Sequence, residues 1–194
     1  MLHVDISNAV RASHEEVGVI VADAFAGAPG AIEVHVKARH PKITWRAICG
    51  APGCLPANWR GPDGAGHWYT RRKDILRIAA LGAHGPVERV VSPAGFSGRT
   101  YHGVPGIARV RPGVQFLVTL HVPADPSRQA GPYPAVRRYP GLATAPPIAV
   151  TCWREELFAL AAHEAHHVAQ FAFGLRVSEI DAEHAAAEAL AGWR

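Results

Sequence analysis

Residues 157–174, LFALAAHEAHHVAQFAFG, set three histidines and a glutamate within five positions of an otherwise apolar run. The absence of proline and of internal glycine predicts one helix, opening near Glu155 and stopping at Gly174. Within it His163, Glu164 and His167 form H-E-x-x-H. Residues four apart on a helix differ by about 40° of rotation and ~6 Å of rise. Both imidazoles therefore leave the same face and can grip one tetrahedral ion. Glu164 sits beside them, where its carboxylate reaches a water on that ion without being a ligand. Twelve histidines and ten glutamates in 194 residues yield only about 0.04 such matches by composition alone. Charge buried among the flanking ALAA and VAQF is costly unless it is bound to something, so a metal centre is the expectation. His166 points away from the pair and is expected to pack or to face solvent.

A catalytic zinc held by two histidines still needs a third protein ligand, so the residues beyond Gly174 matter. The segment LRVSEIDAEHAAAEALAGWR offers Ser178 as an N-cap, with Asp181 three residues on, and a second helix with Glu179 and Glu183 on one face. The four or five linking residues, at about 3.3 Å each, reach back to the level of His167. Alanines at 182, 185, 186 and 187 let two helices approach closely. Glu179, Glu183 and Asp181 are the carboxylates this helix can offer; without a metal they are simply a solvated helix face.

HEAHH followed by EIDAEHAAAEAL resembles the zincin metallopeptidases of the gluzincin type, in which a glutamate on a second helix completes the zinc site. The segment from Glu179 is similar to the E-x-x-A-(N/D/E) pattern of ImmA/IrrE-like small bacterial and phage metallopeptidases. The resemblance implies one Zn2+ held by His163, His167 and Glu179, with Glu164 as general base and Glu183 orienting a ligand histidine through its other ring nitrogen. Glu183 stands where Asn or Asp is more usual, and alanines replace an aromatic of the second helix. The resemblance covers roughly the last forty residues. It further implies a protein or peptide substrate and a bacterial or phage setting. Zincins also supply a Tyr, His or Arg for the oxyanion. After Glu179 only His184 and Arg194 are available, and upstream the candidates are Tyr133, Arg138 and Tyr139.

The rest of the chain reads as one α+β domain over 1–194, with the helical pair at 151–194. ASHEEVGVIVADAFAGAPG is a helix with Ser13 as N-cap and Glu16 at capping-box spacing. AIEVHVKARH alternates like a half-buried strand, and VERVVSP and VQFLVTLHVP are further strands, the last apolar enough for a central place. Together they predict an N-terminal helix, a central sheet that is mostly antiparallel or mixed, the histidine helix and a glutamate-bearing C-terminal helix. RRKDILRIAALGAHG suits a short helix. Residues 123–147 are dense in proline and predict an extended loop bordering the cleft. PIAVTCW then predicts a short edge strand, able to pair with an extended peptide.

Composition narrows the function classes. About half the residues are apolar and 19% are charged, an ordinary globular balance. The start lacks a basic and apolar leader, and no run is long enough to span a membrane, so a cytoplasmic protein is expected. Cys49, Cys54 and Cys152 make an odd count that suits reduced thiols. C-x4-C with His67 downstream is a poor metal pattern, and Trp45, Trp59 and Trp68 suit packing under a loop. A net charge of +4 with scattered basic residues permits a nucleic-acid partner without indicating one. The expected activity is zinc-dependent peptide hydrolysis. The alternative is a non-catalytic zinc-containing structural or regulatory protein, for example a virion component. Oligomeric state is not legible.

Overall fold

The computed structural model describes residues 1–47, 67–69, 87–92, 94–102, 110–138 and 144–194. Outside them lie the helix expected at 71–85, Cys49, Cys54, Trp59 and Tyr139. The chain divides into two compact units, Met1–His40 with Ala94–Arg194, and Pro41–Pro93. In the smaller unit β3 (Lys42–Ala47) pairs antiparallel with β4 (His67–Tyr69) and with β5 (Val87–Ser92). Trp45 and Trp68 fall on β3 and β4.

The larger unit holds a four-stranded sheet in the order β1-β2-β7-β6, formed by β1 (Leu2–Ile6), β2 (Ile32–Arg39), β6 (Ser97–His102) and β7 (Phe116–Pro123). The class is α+β and the sheet is mixed. Its pairing is parallel from β1 to β2 to β7, and β6 runs antiparallel, so of the two expected arrangements, mostly antiparallel or mixed, the sheet is the mixed one. The reason is the crossover: β1 and β2 are joined through helix α1 (His14–Ala24), a connection that suits parallel strands. Ser13 caps α1, its Oγ accepting from Glu16 N at 3.3 Å, while the Glu16 carboxylate turns to Arg154.

Register decides what the helices meet. Val34 pairs with Val118 and Val36 with Leu120, and these side chains are almost wholly buried with Val17 and Val21 of α1 and Leu157 and Ala161 of helix α3 (Trp153–Ala172). The same register continues onto β6, where Gly98 lies beside Leu120 and Thr100 beside Val118. The face that is apolar on three strands thus ends in glycine and threonine on the fourth. Helix α4 (Glu179–Trp193) packs along α3, with Trp193 stacked on Phe158 at 4.5 Å and its Nε1 donating to Asp23 Oδ2 at 3.1 Å. Ser178 caps α4, accepting from Asp181 N at 3.2 Å. Ala182 and Ala186 are fully buried, the close approach that alanine permits.

The proline-rich 123–147 segment is more structured than an extended loop. It carries a single helical turn, α2 (Pro126–Gln129), and a strand, β8 (Ala135–Arg137), which pairs antiparallel with β9 (Ile148–Val150). The expected strand in PIAVTCW is therefore β9, but it belongs to this two-stranded ribbon and not to the edge of the larger sheet. Among the described residues no helix is long and apolar enough to cross a membrane.

On the sheet face opposite the helices, Glu33 is 4% exposed. Its carboxylate accepts from Arg111 N at 3.0 Å and lies 2.6 Å from His35 Nε2. Burial pushes its pKa up, but the Arg111 amide and His35 outweigh that and hold it below the usual carboxylate range. A folded pKa below the unfolded one means the unfolded chain takes up the proton first. The stabilisation is therefore present above the ordinary glutamate value of about 4.3 and is lost as pH falls toward the folded value. Thermal midpoints should drop over that acid window in the parent and drop less in Glu33→Gln. Parallel curves for the two proteins would contradict it.

Candidate metal centre

Helix α3 presents His163 and His167 from one turn, as the four-residue spacing requires, with ring planes at 83° and centroids 4.7 Å apart. Both are buried, at 3% and 6% exposure. The first residue of α4, Glu179, brings its carboxylate to them. His163 Nε2 lies 3.1 Å from Glu179 Oε2 and 3.1 Å from His167 Nε2, and His167 Nε2 lies 3.3 Å from Glu179 Oε2. Bonds of about 2.05 Å to a tetrahedral zinc place neighbouring ligand atoms about 3.3 Å apart. The three atoms already stand at that separation.

The far sides of the rings explain why three acceptors converge. His167 Nδ1 is 2.8 Å from Gln170 Oε1, and that oxygen also accepts from Ser178 N at 3.3 Å. Gln170 Nε2 donates to Ser178 O at 3.4 Å, so the backbone of the α4 cap fixes which way the amide points. His167 therefore carries its proton on Nδ1. His163 Nδ1 lies 2.9 Å from Glu183 Oε1, and a carboxylate at that separation favours the proton on Nδ1 over Nε2. Both Nε2 lone pairs then face each other and a carboxylate with no proton between them, an arrangement a cation resolves. His163, His167 and Glu179 are residues that could hold a metal, and their donor set of two imidazoles and one carboxylate suits zinc.

Glu164, 4% exposed, is held from the sheet. Thr100 Oγ1 donates to its Oε2 at 2.7 Å. A Cβ on Gly98 would stand 2.6 Å from Glu164 Cγ and 2.7 Å from Cδ, so glycine there makes room for the carboxylate. Burial pushes its pKa up and the Glu179 charge adds to this, against the pull of Thr100 and of the two histidines. Glu183 is fully buried on α4. Burial pushes its pKa up too, but the contacts with His163 and Arg137 hold it below the usual carboxylate range.

His163, Glu164, His167 and Glu179 line a cleft of about 550 Å³, to which β6 and the side chains of Arg137, Arg138 and Glu156 also contribute. Its apolar surface comes from Phe96, Leu160, Phe171 and Val177. Of the expected oxyanion groups Arg138 lines this cleft, and Tyr139 lies outside the described residues. The Tyr133 hydroxyl is committed to Glu156, and burial together with that carboxylate raises its pKa. Arg194 is turned to Glu155 and to the Ala149 carbonyl, and His184 is exposed and away from the cleft. Asp181 is exposed at the α4 cap and outside the triad. His166 is half-buried, its pKa lowered by burial.

Sequence reasoning missed Gly98, Thr100, Gln170 and Arg137. SGRTYH has no apolar alternation to mark β6 as a strand, and only the register with β7 aims Gly98 and Thr100 at Glu164. Gln170 had a signal, since it lies three residues after His167 and on its side of the helix.

No family model, no curated protein and no solved structure matches the chain.

Proposed function

We propose that the chain is a zinc-dependent peptidase. The convergence of the His163 and His167 Nε2 atoms with Glu179 Oε2 at the edge length of a zinc tetrahedron carries this reading. Zinc in this triad would polarise a carbonyl and acidify a water. Glu164, pinned by Thr100 beside the triad, takes the proton from the attacking water and hands it to the leaving amine. An extended substrate fits along β6 better than along β9, because β6 is the edge of the sheet among the described strands and borders the cleft where Glu164 sits. Arg138, which also lines the cleft, is the remaining described candidate to meet developing negative charge.

Elemental analysis of protein prepared without added metal should find about one zinc per chain, and a chelator should stop hydrolysis of a denatured protein. Zinc sites hold their ion with an apparent ~12 kcal/mol, or ~3 kcal/mol for each of four ligands, so Glu179→Ala should weaken binding about a hundredfold. Zinc without turnover on any denatured substrate would favour the structural or regulatory alternative. No zinc in either protein would leave HEAHH as a histidine-rich helix face.

A further inference from the structure

Glu183 touches His163 through a single oxygen, and that oxygen has a second partner. Arg137 Nη2 lies 2.9 Å from Glu183 Oε1, the same atom that sits 2.9 Å from His163 Nδ1. Glu183 Oε2 has no hydrogen-bond partner among the described residues, and neither has Arg137 Nη1. One oxygen thus carries the whole connection, and two groups fix its position. The Glu183 side chain is 0% exposed and that of Arg137 17%, so bulk water does not reach the shared oxygen to replace either partner.

Resting on the metal-centre reading, we propose that Arg137 is a positioning residue: through Glu183 Oε1 it holds the His163 ring with Nε2 turned toward His167 and Glu179. Three elements far apart in sequence meet in this chain. Arg137 closes β8, which the β9 pairing ties to the start of α3; Glu183 stands one turn beyond Glu179 on α4; and His163 lies on α3. Glu183 has three side-chain torsions and, without the guanidinium, only His163 among the described residues to orient its carboxylate. The pair then loses its reference point, and the imidazole can turn or exchange its Nδ1 proton for one on Nε2, which blocks the ligand lone pair. Arg137 also lines the cleft, so the wall that the proline-rich segment builds and His163 belong to one chain of polar contacts.

Two measurements test this. In metal-free protein labelled with 15N-histidine, the His163 ring should be the Nδ1–H tautomer in the parent and a mixture in Arg137→Met. In competition with a chromophoric chelator, Arg137→Met should bind Zn2+ about 10- to 100-fold more weakly, the usual effect of losing a group behind a ligand. Arg137→Lys should recover part of that loss. Should Arg137→Met fail to fold, the pair Arg137→Met with Glu183→Gln removes both buried charges together and is tolerated far better than one partner alone. In the Glu183→Gln background the Arg137 substitution should add almost nothing to the loss of zinc affinity, because its route to His163 is already cut. Equal losses in the two backgrounds, or parent-like affinity and tautomer in a folded Arg137→Met, would overturn the proposal. A parent that binds no zinc overturns it together with the metal reading, whereas a zinc-binding parent indifferent to Arg137 overturns it alone.

Discussion

Glu164→Gln should lower the turnover number on a denatured protein by about 10²- to 10⁴-fold, the usual contribution of a positioned general base, while zinc content and thermal midpoint stay near the parent's. Glutamine keeps the shape, and its amide oxygen can accept from the Thr100 hydroxyl in the place where Oε2 accepts at 2.7 Å. What it loses is the lone pair that takes a proton. The separation of the two readouts is the decisive feature, since Glu164 is not among the three converging ligand atoms. Loss of zinc along with activity would place Glu164 in the ligand set, and unchanged turnover would remove it from the chemistry.

Gly98→Ala tests the same carboxylate from the opposite side. The added methyl would fall 2.6 Å from Glu164 Cγ and 2.7 Å from Cδ, closer than carbon atoms pack, so the side chain must shift. Displacement of a reacting group by about 1 Å costs on the order of 10²-fold in rate, and that is the loss expected. The triad on α3 and α4 is not touched, so zinc content should hold. Combining Gly98→Ala with Glu164→Gln should cost little more than Glu164→Gln alone, because both act on one group. Additive losses would mean that Gly98 serves activity by another route.

The two predictions draw on different kinds of information. Glu164 could be named from H-E-x-x-H with no structure at all, because spacing on a helix is a local property and fixes which side chains share a face. The same holds for the caps at Ser13 and Ser178 and for the alanines along α4. Gly98 could not be named, because its importance is a contact between residues 66 positions apart, set by the register of β6 on β7. The choice of Glu179 over Asp181 is of the same kind. Both carboxylates open the second helix, and only the packing of α4 along α3 turns one toward the histidines and leaves the other in solvent.

The sheet shows where local signals stop. β2 and β7 are legible from apolar runs, but whether they pair parallel depends on what lies between them, which no window of sequence contains. β9 has the composition of an edge strand and does form a strand, yet its partner is β8, a three-residue segment amid prolines, and among the described strands the larger sheet ends instead at β6.

The sequence by itself determined the histidine helix, its capped companion and the short list of groups from which a cation site could be drawn, since each comes from spacing along one helix or across one short link. Tertiary structure alone decided that Thr100 and Gly98 cradle Glu164, that Gln170 and Glu183 face the Nδ1 atoms of the two imidazoles, and that Arg137 stands behind Glu183. Those contacts join segments remote in sequence, where the energy of burying a polar group acts only once the chain has closed around it.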